Sequence, residues 1–342
     1  MGLFCDFYKL GQEEGRVIAL QIIFDLVFLF GLKYFENGEE LEVTESGDEN
    51  DEITKEKAKV MNIISSALYD SDEKIQNTAS EGFSKLFLNR VIDDRQVLEG
   101  LFYLYLHPAT PASSPIKQCL SYFFQAYAFI SSDNQLAIGS LVGKIIGSWV
   151  RISKQQQQNE QAVNISLNSV AGQLLYLIDR NNLIQSASKS SLESYNEMYA
   201  QIAVDLSWVI LNDPQDESAK TISSIIWKLP LKSLNRPDAP PLLKQLLFLQ
   251  TQIMKYLPDK TTLNMLKRCT ANLLQLDNQE MPLDFEIINE MRAQLQNILP
   301  AGIKVNQNTT ALSTAKKSKL TIPNQESTGN IMDDITDLLE DD

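Results

Sequence analysis

The chain has 342 residues, 44% hydrophobic and 22% charged, and carries 44 acids against 30 bases for a net charge of −14. That length and apolar content can bury a sizeable core, and glycine (14) and proline (12) are sparse, as in a helical body. Its three cysteines, Cys5, Cys119 and Cys269, are odd in number, far apart and set in helical patterns, which argues against a disulfide framework or a thiolate metal site and for buried thiols in a reducing compartment.

Met1–Leu10 reads as the middle of a helix, which suggests a piece of something longer or an abrupt beginning. No basic n-region or cleavage site marks a secretory signal. The most apolar run, Val17–Leu32, contains Gln21 and Asp25 and falls short of the ~20 residues of a membrane span, so it reads as a core helix and no membrane partner is expected. Residues 1–35 form one helical unit. Residues 36–58 follow as an acidic insertion, expected to be disordered, in which Glu36–Glu56 has ten acids against one base, Lys55.

Lys59–Leu88 holds two amphipathic helices. Val60, Ile63, Ile64, Ala67 and Leu68 make the stripe of a helix buried along one face. Asp70, Ser71 and Asp72 break it and cap a second helix with core positions Ile75, Ala79, Gly82, Phe83, Leu86 and Phe87. The small Ala79 and Gly82 are where a neighbouring helix can approach closely. Such an αα-hairpin cannot cover its own apolar faces and needs copies on either side. The second helix's pattern (Ile75, Gln76, Ala79, Gly82, Phe83) recurs at Gly15, Arg16, Ala19, Ile22, Ile23 and at Ile116, Lys117, Leu120, Phe123, Phe124, with a weaker copy at Ala219, Lys220, Ser223, Ile226, Trp227. Allowing for the acidic insertion, the period is about 40 residues with two helices per unit, the signature of HEAT or armadillo arrays.

Downstream, the proline-rich Pro108–Pro115 predicts an exposed loop. Helices are expected over Ile116–Phe129 and Asn134–Ile152, the latter followed by a polar connection holding Gln155–Gln158. Further helices are expected at approximately 160–181, 185–211, 217–229, 241–257, 260–276 and 283–298. No strand-period segment of any length is present. The fold expected is all-α: a solenoid of HEAT-type hairpins over 1–300, interrupted by the disordered acidic loop, and a disordered tail over 301–342 with an acidic amphipathic end.

Glu326–Asp342 holds seven acids and no base, so the two acidic segments together leave 27 acids against 29 bases in the body. Lys220–Arg268 has nine bases against two acids, Asp238 and Asp259. Lys228, Lys232, Arg236, Lys244, Lys255, Lys260, Lys267 and Arg268 are the candidate contacts to a nucleic-acid backbone, since clustered cations position phosphates without reading sequence. The alternative is a solvated helix face. Ser114, Pro115, Ile116, Lys117 has the S-P-x-K form of a proline-directed phosphorylation site, and equally that of a helix start with proline at its first position. At the end, Ile331, Ile335, Leu338 and Leu339 lie on one helical face among acids, as in an acidic docking peptide or a solvating tail.

The sequence points away from catalysis. Its one histidine, His107, precedes a proline in a loop, no serine or cysteine nucleophile has a second histidine to serve it, and neither GxxxxGK[ST], GxGxxG nor Cys/His ligand spacing occurs. No cofactor or metal is expected.

The first 150 residues carry a resemblance. The order EEGRVIALQIIFDLVFLFG, acidic insertion, TASEGFSKLFLNRVI, LFYLYLHPAT, IKQCLSYFFQAYA resembles the C-terminal region of condensin's G-type HEAT-repeat subunit, with Arg16, Ala19, Phe24, Asp25, Glu81, Gly82, Lys85, Leu86, Tyr105, Pro108, Gln118, Cys119, Leu120, Phe123 and Phe124 as the matching positions. It fades after about Ile152. The resemblance implies a non-catalytic, chromosome-associated subunit that docks on the kleisin subunit of condensin and helps hold double-stranded DNA. It also implies indirect contact with the SMC subunits, to which any ATP hydrolysis would belong, and residence in the nucleus and on chromosomes, with the cytoplasm for part of the cell cycle. The other reading is a HEAT or armadillo scaffold of nuclear transport or phosphatase assembly, without DNA binding.

Overall fold

The computed structural model describes residues 2–32, 60–107, 110–111, 113–158, 166–184, 192–231, 241–257, 259–276, 289–291 and 293–294. The acidic insertion over 36–58, Lys232, Arg236 and the tail over 301–342 lie outside the described residues, as does most of the helix expected at 283–298. The described residues divide into two compact units, one built on the stretch from 2 to 141 with 175–184, the other on 142–158, 166–174 and those from 192 onward.

In the first unit, α1 (Gly2–Leu10) packs on α2 (Glu13–Phe30). The hairpin that follows is α3 (Val60–Tyr69), whose last turn Ala67–Tyr69 tightens to a 3-10 helix, and α4 (Glu73–Leu88). Asp72 caps α4 by accepting from the Lys74 N–H at 2.8 Å. Next come α5 (Arg95–Leu106), capped by Asp94 through the N–H groups of Gln96 and Val97, and α6 (Pro115–Ile130). The pattern helices α2, α4 and α6 pack in succession, α2 on α4 and α4 on α6. An aromatic chain links them. Phe24 meets Phe83 edge-on at 5.0 Å, Phe87 reaches Phe123 and Tyr127, and Phe102 of α5 stacks on Phe124 at 3.8 Å. Each such pair adds about 0.5–1.5 kcal/mol beyond burial. Ile75, Ala79, Phe83, Leu86, Leu120 and Phe124 are all buried, as the repeat pattern requires.

The small residue at the centre of the template is explained here. A Cβ on Gly82 would stand 2.4 Å from the Phe24 ring, so α2 and α4 meet at this distance only because position 82 has no side chain. Nearby, Arg16 of α2 donates to Asp70 in the α3–α4 turn and lies over the Tyr8 ring at 5.0 Å, tying α1, α2 and the hairpin together. Lys74 and Glu13 add an exposed pair at 2.7 Å.

Helix α7 (Ser132–Gln158) runs from the first unit into the second and includes the glutamines expected in a connection. A glutamine run is a fair helix former, so with no proline or glycine after Gly147 nothing stops the helix earlier. Its segment Ser132–Gln155 is long and apolar enough to cross a membrane by length and composition, yet Ile138, Val142, Ile145 and Ile146 are buried inside the protein, so α7 is a core helix. α8 (Leu167–Leu177) follows. Its C-terminal carbonyl Leu177 and the carbonyl of Asp179 accept from buried Gln135 at 3.0 and 2.9 Å, which satisfies groups that a helix end leaves open.

In the second unit, α9 (Leu192–Asn212) packs against α10 (Ser218–Lys228) and α11 (Pro241–Tyr256), and α12 (Lys260–Leu276) packs on both of these. Gly143 repeats the device of Gly82: a Cβ there would lie 2.3 Å from the Asp205 side chain of α9. Lys154 near the end of α7 holds Asp213 at 2.9 Å and Asp216 at 3.0 Å, fixing the α9–α10 turn. A buried polar bridge joins α11 to α12, with the Thr270 hydroxyl donating to Gln250 Oε1 at 2.8 Å and the Gln250 amide to Cys269 Sγ at 3.5 Å. The weaker repeat copy departs from its template at Trp227, which is exposed while Ala219, Ser223 and Ile226 are buried. These features make the fold an all-α array of HEAT-type helical hairpins; among the described residues it contains no extended strand.

Gly82→Ala is expected to destabilise the protein by about 1–3 kcal/mol in chemical denaturation, through overpacking against Phe24, and by clearly less in a Phe24→Ala background. Additive effects would show that the contact is not the constraint. Burial alone would raise the pKa of Asp70, but the Asp72 N–H and Arg16 outweigh it and hold the carboxyl below its ordinary value. Its contribution is therefore full above the unfolded carboxylate pKa of about 3.9 and is lost as pH falls through the lower folded value. Asp70→Asn should accordingly lower the denaturation midpoint at pH 6 and converge with wild type near pH 2.

Candidate nucleic-acid interface

The basic stretch lies on α10, α11 and α12 of the second unit. On α10, Lys220 and Lys228 are exposed on the side opposite Ala219, Ile222 and Ile226. Trp227 is seven residues from Lys220 and so within about 20° of it around the helix, on the side away from Lys228. α11 is buried on almost every side. Lys244 and Lys255 are eleven residues apart, three turns and about 16 Å, and share the one partly exposed stripe with Gln245, Gln252 and Tyr256. On α12, Lys260 and Lys267 are seven residues apart with Arg268 beside them, all turned away from Leu266, Cys269 and Thr270.

Helix electrostatics separates structural cations from the others. Lys228 and Lys255 occupy last turns, where a cation complements the negative end of the helix dipole, and this alone accounts for them. Lys220 and Lys260 occupy first turns, where the dipole opposes a cation, and Lys267 and Arg268 are mid-helix. Asp259 caps α12, accepting from the Thr262 hydroxyl and N–H, which with nearby Lys220 hold its carboxyl below the ordinary value. Lys220 thereby comes close to the start of α12. Among the described residues, no carboxylate forms an ion pair with Lys228, Lys255, Lys260, Lys267 or Arg268. The structure thus places six of the eight candidate cations on α10, α11 and α12, of which α10 and α11 each pack on α12, while Lys232 and Arg236 fall outside the described residues. Lys220 belongs with them, and its signal was already in the sequence as part of the same basic run.

Ser114 is the N-cap of α6, its hydroxyl accepting from the Lys117 N–H at 3.2 Å, with Pro115 at the first helical position. It is 4% exposed, so a kinase would reach it only after the first turn of α6 opens. His107 is the C-cap residue of α5. Cys5 and Cys269 are buried and Cys119 is half-buried, none of the three in a disulfide.

Against known proteins, the family model described as "Nuclear condensing complex subunits, C-term domain" matches residues 1–231. Condensin complex subunit 3 of Homo sapiens is 23% identical over 268 residues, covering 75% of this chain and 25% of the relative. The subunit of the same name from Schizosaccharomyces pombe is 24% identical over 239 residues, covering 67% and 26%. The chain thus spans about a quarter of the length of the curated relatives it matches. A solved structure, the crystal structure of the S. pombe condensin Cnd3-Cnd2 subcomplex, superposes with a TM-score of 0.61 at 19% identity, over 81% of this chain and 33% of the solved one, a likeness of fold. The family match covers well over half of the sequence and includes the stretch on which the resemblance was read: the chain belongs to the family of nuclear condensing complex subunits, in their C-terminal domain.

Proposed function

We propose that the chain acts as a non-catalytic part of a condensin subunit, docking on the kleisin subunit and, through it, on the SMC subunits, while α10–α12 hold the backbone of double-stranded DNA without reading sequence. The observation that carries the DNA reading is the set Lys260, Lys267 and Arg268 on the outward side of α12, which neither helix dipole nor ion pairing accounts for. Lys220, Lys228, Lys244 and Lys255 extend it, and Lys232 and Arg236 join it from the sequence. Family membership supports the condensin assignment over the scaffold of another system. The kleisin reading is supported by the solved neighbour, a subcomplex of Cnd3 with Cnd2. Residence in the nucleus and on chromosomes, with the cytoplasm for part of the cell cycle, follows from the same reading.

Titrating the full chain into a labelled random-sequence duplex should give an affinity that falls steeply with salt. Four phosphate contacts correspond to a loss of roughly a hundredfold between 50 and 200 mM. Lys260→Glu, Lys267→Glu and Arg268→Glu together should flatten the log–log slope by about three and leave the helical circular dichroism unchanged. Salt-independent binding, or none, would remove DNA from the proposal. A pulldown of the full chain in mitotic nuclear extract treated with nuclease should recover the kleisin and SMC subunits. Recovery of nuclear-transport or phosphatase components in their place would overturn the kleisin reading.

A further inference from the structure

The α10 surface is not a simple phosphate track. Trp227 is 42% exposed, within about 20° of Lys220 around the helix and next to Lys228 along the chain, and the Lys260 end of α12 comes close to Lys220. A large indole on an otherwise cationic helix face suits a ligand that brings apolar groups together with anions, a combination that a duplex backbone lacks. One segment of this chain has that combination. Glu326–Asp342 carries seven acids and no base, with Ile331, Ile335, Leu338 and Leu339 at the 0, 4, 7, 8 spacing of one helical face. Glu36–Glu56 is also acidic, but its Leu41, Val43 and Ile53 have no helical spacing, so it lacks the apolar half of the match. The 32 residues from Gln294 to Glu326 can span about 100 Å, ample for the tail to return to this face.

We propose that the acidic C-terminal segment Glu326–Asp342 docks on the Trp227 face of α10 and there competes with duplex DNA. Acidic side chains take the places of phosphates at Lys220, Lys228 and Lys260, and the apolar face of the segment covers the indole. The tail is then a built-in competitor at an effective concentration set by its tether. The competition rests on the DNA reading given above; the docking itself does not.

The two are separable in one set of experiments on the full chain. Zero-length carbodiimide cross-linking followed by mass spectrometry should join tail carboxylates to Lys220, Lys228 or Lys260, and the links should vanish in high salt and weaken in a Trp227→Ser variant. Links from Glu36–Glu56 in their place, or links only between copies when isotopically heavy and light chains are mixed, would overturn the assignment. Neutralising the tail by Asp333→Asn, Asp334→Asn, Asp337→Asn and Glu340→Gln should tighten duplex binding about tenfold at 50 mM salt, as expected when an intramolecular competitor is lost. Salt-dependent duplex binding that the tail change leaves untouched, with no cross-links, would overturn the inference while the DNA reading stood. Tail cross-links on a chain that binds no duplex would uphold the docking and overturn both the competition and the DNA reading.

Discussion

The close approach of α2 to α4 at Gly82 is the constraint on which the first unit depends. With the Phe24 ring where a Cβ would otherwise be, the two helices come near enough for Phe24 to meet Phe83 edge-on, and the same face of α4 continues through Phe87 to Phe123 and Tyr127 of α6. A hairpin of this size buries too little by itself, so its stability is a property of the contact with the next hairpin. The aromatic chain is that contact, and the Arg16–Asp70 pair fixes the angle at which it begins. Asp70 is well placed for the task, since it sits in the turn that every α3–α4 hairpin of this kind must have.

The second unit solves the same packing problem with more polar means. Gln250, Thr270 and Cys269 form a buried bridge between α11 and α12, and Gly143 admits the Asp205 side chain of α9 where a larger residue would collide. A polar bridge of this kind specifies register more than it adds stability, because each buried group must find its partner or cost about 1–3 kcal/mol. With the interiors of α10, α11 and α12 settled in this way, their outward stripes are left to carry charge. That division is what lets a strongly basic surface exist in a chain whose net charge is −14. The acids that set the net value are concentrated at Glu36–Glu56 and Glu326–Asp342, away from the helices in sequence.

Family membership and helix electrostatics bear on different parts of the functional reading. The match to nuclear condensing complex subunits covers residues 1–231 and so says least about α11 and α12, the latter carrying Lys260, Lys267 and Arg268. There the physical account is independent: Lys260 and Lys220 stand at helix starts against the dipole, whereas Lys228 and Lys255 follow the ordinary preference for helix ends. The exposed Trp227 adds an apolar component that electrostatics alone does not predict.

The sequence by itself determined the fold class, the hairpin at Lys59–Leu88, the pattern helices and the basic run, because the 3.6-residue period and the charge of a segment are local properties written in residue order. It also determined that Gly82 marks a close approach. Only the tertiary structure decided what approaches: that Phe24 fills the space, that α7 continues through Gln155–Gln158, and that Lys154 reaches across to Asp213 and Asp216. It likewise moved Trp227 to the surface although the repeat pattern predicted it buried, and of the two readings of Ser114 it shows the helix start, with the residue buried as the cap. The physical reason is the same in each case. Periodicity states which face of a helix must leave water, but the partner that covers it comes from residues tens of positions away, and the pairing depends on shape that no local pattern records.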